Sequence, residues 1–116
     1  MAATITDIGG RYRRYAETSG ANAAVTMSVN PGVPFRVLDA LTSYSAAPTQ
    51  AGVTHDLDSG AGAGYDGTLN TGSANARYTA YQPTRLTLGG DDAFKVTAPA
   101  GGGVITSSVS CYVELL

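Results

Sequence analysis

The feature that most limits this chain's fold lies at its end. In residues 104–116, VITSSVSCYVELL, Ile105, Val109, Cys111, Val113 and Leu115 share one phase of a two-residue period, while Thr106, Ser108, Ser110, Tyr112 and Glu114 share the other. Successive side chains of a strand point to opposite faces, so this run is a strand with one apolar and one polar face. Such a strand needs a second layer over its apolar side.

The same alternation recurs upstream. Residues 24–29 place Val25, Met27 and Val29 on one face, 53–58 place Val53, His55 and Leu57 together, and 93–99 place Phe94, Val96 and Ala98 together. In 34–44, Phe35 and Val37 share a face, but Leu38, Ala40 and Leu41 break the phase, which predicts a bulge or a switch between sheets. Asn-Pro-Gly at 30–32 and Gly-Gly-Asp-Asp at 89–92 read as turns, and Pro83 splits 76–88 into two segments. Helix formers are scarce, with two Glu, one Lys and two Gln against fifteen Gly. The expectation is all-β: a compact antiparallel β-sandwich, jelly-roll-like, with seven to nine short strands over residues 24–116, preceded by an amino-terminal arm or edge segment over 1–23. An immunoglobulin pattern is disfavoured by the absence of Trp and of a cysteine pair. The expected core is Val25, Phe35, Val37, Leu57, Leu86, Leu88, Phe94, Val96, Val109 and Val113.

Charge narrows the function classes. Only 14% of residues are charged and the formal net charge is −2, so the chain lacks the basic footprint of a general nucleic-acid binder. A lightly charged surface lets copies crowd together, which suits a lattice, although an extracellular module would look the same. No run approaches the length of a membrane span, and no signal peptide is recognisable in MAATITDIGGRYRRY. One cysteine excludes an internal disulfide.

Few residues carry candidate chemistry. Asp56, Asp58 and Asp66, around DLDSGAG, are weak metal candidates resembling the start of a calcium loop, but the later acidic ligands are missing and a turn reading is preferred. Asp91 and Asp92 read as turn residues. His55 has no partner at catalytic or zinc spacing, and Cys111 reads as a packed thiol. No nucleophile elbow or phosphate loop is present, so the expectation is a protein that is not an enzyme and requires no cofactor. The dense charge feature is RYRRY at 11–15: Arg11, Arg13 and Arg14 suit carboxylates of a neighbouring protein, and Tyr12 and Tyr15 suit broad contacts. Phosphate contact by these arginines is the lesser reading. Tyr44, Tyr65, Tyr78, Tyr81 and Tyr112 offer an alternative, a sugar-binding groove.

Two stretches, LTSYSAAPTQAGVTHDLDSGAGAGYDGTLNT (41–71) and YQPTRLTLGGDDAFKV (81–96), resemble a group of small virion proteins of tailed bacteriophages. The shared order is the bend at 45–49, the Leu-Asp-Ser stretch at 57–66, Gln82-Pro83, and the turn and strand at 88–94. Tyr81 stands where those relatives often carry Trp, and RYRRY lies outside the pattern. The resemblance implies a capsid decoration or cement protein that binds or stabilises the particle shell, with a head–tail or tail component as one alternative and a glycan- or receptor-binding adhesion module as another. The implied partners are the major capsid protein or adjacent virion proteins, with self-association or many copies on a lattice and no membrane. The implied location is the virion, after synthesis in host cytoplasm.

Overall fold

The computed structural model describes residues 3–49, 53–58, 67–71, 75–79, 87–90 and 92–116. Its strands are β1 (Thr4–Gly9), β2 (Tyr12–Thr18), β3 (Val25–Val29), β4 (Phe35–Tyr44), β5 (Val53–Asp58), β6 (Gly67–Thr71), β7 (Asn75–Thr79), β8 (Thr87–Leu88), β9 (Phe94–Ala98) and β10 (Ser107–Leu115). They form two antiparallel sheets. A six-stranded sheet has the order β1-β2-β10-β4-β7, with β8 also on β4, and a four-stranded sheet has the order β3-β9-β5-β6. The protein is an all-β two-sheet sandwich. The ten strands among the described residues exceed the seven to nine expected, because residues 4–18, expected as part of an arm or edge segment, supply two.

β10 holds the centre, paired with β2 on one flank and β4 on the other, with β3 and β9 across the core. Its residues alternate as the sequence predicts: Val109, Cys111 and Val113 are buried, and the residues between them are partly exposed. The expected phase break in β4 is a bulge at Leu38, where the register steps from Val37 opposite Val113 to Asp39 opposite Tyr112. One extra residue reverses the faces, so Phe35 and Val37 before it and Ala40, Thr42 and Tyr44 after it all reach the interior.

Phe35, Phe94, Met27, Val29, Val37, Val96, Val109 and Val113 fill the space between the sheets, and each such side chain contributes about 1.5–3 kcal/mol of burial. Of the expected core, Val25, Phe35, Val37, Leu88, Phe94, Val96, Val109 and Val113 are buried. The register sets Leu57 opposite Val96, its side chain lying outside the described ones, and Leu86 lies outside the described residues. Among the described residues Asp39, Thr42 and Ser107 are buried polar residues, and Tyr44 buries its hydroxyl beside Ser107. Ser107 satisfies its hydroxyl by donating to the Pro99 carbonyl at 3.1 Å, and Tyr44 donates to the same oxygen at 2.8 Å. Tyr44 and Ile105 form a small second cluster beside that point.

Candidate functional site at the amino-terminal hairpin

Residues 4–18 make a β-hairpin turned at Gly9-Gly10. Both glycines have positive φ, 113° and 55°, which a side chain would strain. The turn is pinned from the side. Asp7 accepts the Gly9 N–H at 2.9 Å, and the Arg13 guanidinium donates to Asp7 Oδ1 at 3.2 Å and to the Gly10 and Tyr12 carbonyls at 2.9 Å. Gly-Gly between alternating runs is itself a hairpin signal, and it was the clue available in the sequence for these strands.

The hairpin divides RYRRY by strand geometry. Tyr15 turns inward: it is 5% exposed and belongs to the main core cluster. It is therefore corrected from a contact residue to an anchor of the hairpin, since a strand residue cannot pack in the core and face a partner. Burial also raises its phenol pKa above the ordinary value of 10.0, with nearby Arg13 pulling the other way and Cys111 adding to the rise. Arg13 shares the inward phase and holds the turn. Tyr12 and Arg14 lie in the outward phase; Tyr12 is exposed, and the Arg14 guanidinium sits 6.0 Å from the centroid of the Tyr112 ring. Arg11 is exposed at the turn. The five residues thus do three jobs.

β1 stands out against the rest. All six of its residues are exposed, and Ile5 is 57% exposed although it lies opposite buried Tyr15. The cause is width: β3, the edge of the smaller sheet, packs against β2 and β10, leaving β1 at the end of the larger sheet. Ile8 and Tyr12 add further exposed apolar surface near the turn.

The remaining candidates are placed as follows. Asp58 ends β5 opposite Lys95 and is exposed. Asp56 lies on β5 opposite Thr68 and Thr97, its side chain outside the described ones, and Asp66 lies outside the described residues altogether. Among the described residues, no group of three or more His, Cys, Asp or Glu is placed to hold a metal ion. Asp92 accepts the Gly89 N–H at 3.1 Å and closes the turn there; Asp91 is outside the described residues. The register sets His55 opposite Leu69. Cys111 is buried, which drives its thiol pKa far above the ordinary value, with Asp39 adding to the rise. Of the tyrosines offered for a sugar groove, Tyr44 is buried against Pro99 and Tyr112 lies beneath Arg14; Tyr65 and Tyr81, like the side chain of Tyr78, are outside the described set. A shallow depression of about 160 Å³ on the outer face, lined by Arg14, Ala16, Thr18, Ser108 and Ser110 among others, falls below the several hundred cubic ångströms of a small-molecule pocket.

Comparison with protein families and with curated proteins finds no match. Among solved structures, this fold is similar to the crystal structure of FLHE, with a TM-score of 0.45 and 12% identity over 92% of this chain and 100% of that one. The virion expectations (capsid decoration, head–tail or tail component, adhesion module) are corrected on this finding, since the solved structure it names is FLHE. With them fall the capsid and lattice partners and the virion location. The physical reason lies in what carried the resemblance. Pro, Gly and Asp, which punctuate the sequence at 45–49, 57–66 and 88–92, are residue types that turns favour, and any antiparallel sandwich needs turns. At its identity and TM-score, the likeness to FLHE lends this chain no function.

Proposed function

We propose that the chain is a non-enzymatic protein-binding module whose contact lies in the amino-terminal segment, residues 1–23, where β1 forms the edge and β2 joins it to the sandwich that residues 24–116 complete. The observation that carries this reading is β1, exposed along its whole length at the end of a sheet whose centre is fully packed. Arg11 and Tyr12 at the turn and Arg14 on the outer face supply directed contacts beside the exposed Ile5 and Ile8. The strand order supports a jelly roll for the sandwich: β2-β10-β4-β7 opposite β3-β9-β5-β6 is the interleaving of two Greek keys, with β1 and β8 as additions at the margins.

The test is site-specific photocrosslinking in the native cell. A photoreactive residue at Tyr12 is expected to give a discrete protein adduct, and one at the exposed Lys95 on the other sheet is not. Equal labelling at both positions, or none at Tyr12, refutes the assignment.

A further inference from the structure

We infer that β1 accepts an extended acidic segment of a partner protein as an added strand, paired to the backbone of Ile5 and Asp7. This rests on the hairpin-contact reading above and specifies its chemistry.

The backbone parity of the hairpin can be worked out. The Leu115 N–H donates to the Arg11 carbonyl at 2.7 Å, and the Ser19 N–H donates to the Ser107 carbonyl at 2.8 Å, extending the β2–β10 ladder at both ends. Bonded and non-bonded pairs alternate along an antiparallel ladder. The odd-numbered residues of β2 therefore bond to β10, and the even-numbered Arg14 and Ala16 bond to β1. Their partners are Thr6 and Thr4. Ile5 and Asp7 are left to aim their N–H and C=O groups away from β2, toward an edge that no other strand occupies among the described residues.

Natural sheets usually blunt such an edge with Lys, Pro or an unpaired charge. β1, TITDIG, has neither Lys nor Pro, and its one charge, Asp7, is already engaged by Arg13 and the Gly9 N–H. The register shift between Asp7 and Gly9 ends the regular edge there, so an added strand is short. Side-chain chemistry then selects the occupant. An incoming strand places an apolar residue beside exposed Ile5, where the smaller sheet gives no cover. The hairpin holds Arg11, Arg13 and Arg14 against Asp7 and Glu17, a locally positive segment on a chain of net charge −2. Carboxylates flanking the added strand meet that charge, whereas a basic segment is repelled by it.

The test uses the full chain and synthetic peptides of about nine residues that alternate valine and threonine, long enough to span the edge. One carries glutamate at both ends, one lysine at both ends, and one is the glutamate peptide N-methylated at every second amide. Fluorescence anisotropy is expected to show the glutamate peptide binding at least about ten-fold more tightly than the other two. Ile5→Pro removes an edge-facing donor and leaves the Thr4 and Thr6 ladder bonds in place, so the variant is expected to melt like wild type and lose the preference. Equal binding by the N-methylated peptide overturns strand addition, and equal or tighter binding by the lysine peptide overturns the acidic preference. A dimer of the free wild type that Ile5→Pro dissociates in sedimentation makes a second copy the occupant and overturns the assignment. In any of these cases, a persisting Tyr12 photoadduct leaves the hairpin-contact reading intact, whereas its loss removes that reading too.

Discussion

β10 and β1 belong to one sheet, yet they occupy opposite extremes of packing. β10 has a strand on each flank and the second sheet over one face, so Val109, Cys111 and Val113 are sealed. β1 has one flank bonded and, among the described residues, no strand on its other edge, and none of its residues is buried. The difference is not in their composition alone, since Ile5 is as apolar as Val113. It is in the number of neighbours. A sheet wider than its partner leaves a margin where apolar side chains and backbone donors meet solvent together, and that margin is where binding can be added without disturbing the core.

The largest expected contrast sets the core against the margin. Phe94→Ala opens a cavity opposite the central strands and is expected to cost about 3–5 kcal/mol in urea unfolding, while Ile5→Ala changes stability by no more than roughly 0.5 kcal/mol. Comparable losses would mean that β1 is covered in solution. Next in size is a contrast within β1 itself. Thr6→Pro removes a donor bonded to β2 and is expected to cost roughly 1–3 kcal/mol, whereas Ile5→Pro is close to neutral. Reversal of that order would overturn the parity of the hairpin.

Alkaline pH probes the centre more gently. Burial raises the Cys111 thiol and the Tyr15 and Tyr44 phenols above their ordinary values of 9.0 and 10.0, and a hydrogen bond with Ser107 only partly offsets the rise at Tyr44. The folded chain thus keeps protons that the unfolded chain releases. Their contribution is complete below those ordinary values and is lost as pH rises, at about 1.4 kcal/mol per pH unit for each group that ionises only on unfolding. Cys111→Ala is expected to move the onset of the decline from near pH 9 to near pH 10, read from unfolding midpoints across the range. The smallest effect lies at the margin again. Arg13→Ala loosens an exposed turn and is expected to cost about 0.5 kcal/mol, with the loss shrinking in high salt.

Legibility followed the same division. β10 could be read because one of its faces is buried and selection for that face writes a strict alternation. The phase break near Leu38 is legible for a related reason: apolar residues on both sides of it demand the interior, which a bulge or a switch between sheets can satisfy, and the structure has the bulge. β1 has no buried face to impose a pattern, so its strand left only the Gly9-Gly10 turn as a trace. The RYRRY stretch was treated as one patch, although a two-residue period separates Tyr12 and Arg14 from Arg13 and Tyr15; that period became decisive once β2 was known to be a strand. The stretches at 45–49 and 57–66 suggest a virion origin because their residue types are distinctive, but Pro, Gly and Asp are favoured by turns in general and so do not specify a partner.

Cys111 gives the molecule a clock. It is the chain's one thiol, fully buried on β10, between β2 and β4. A thiol reagent can reach it only while the sandwich is apart. With dilute reagent, the labelling rate counts what fraction of the time the sheets are open; with concentrated reagent, each opening is captured and the rate becomes that of opening itself. Because β1 lies outside that enclosure, an event confined to the margin leaves the clock unchanged, and an event that propagates from a bound partner into the centre of the sheet alters its pace.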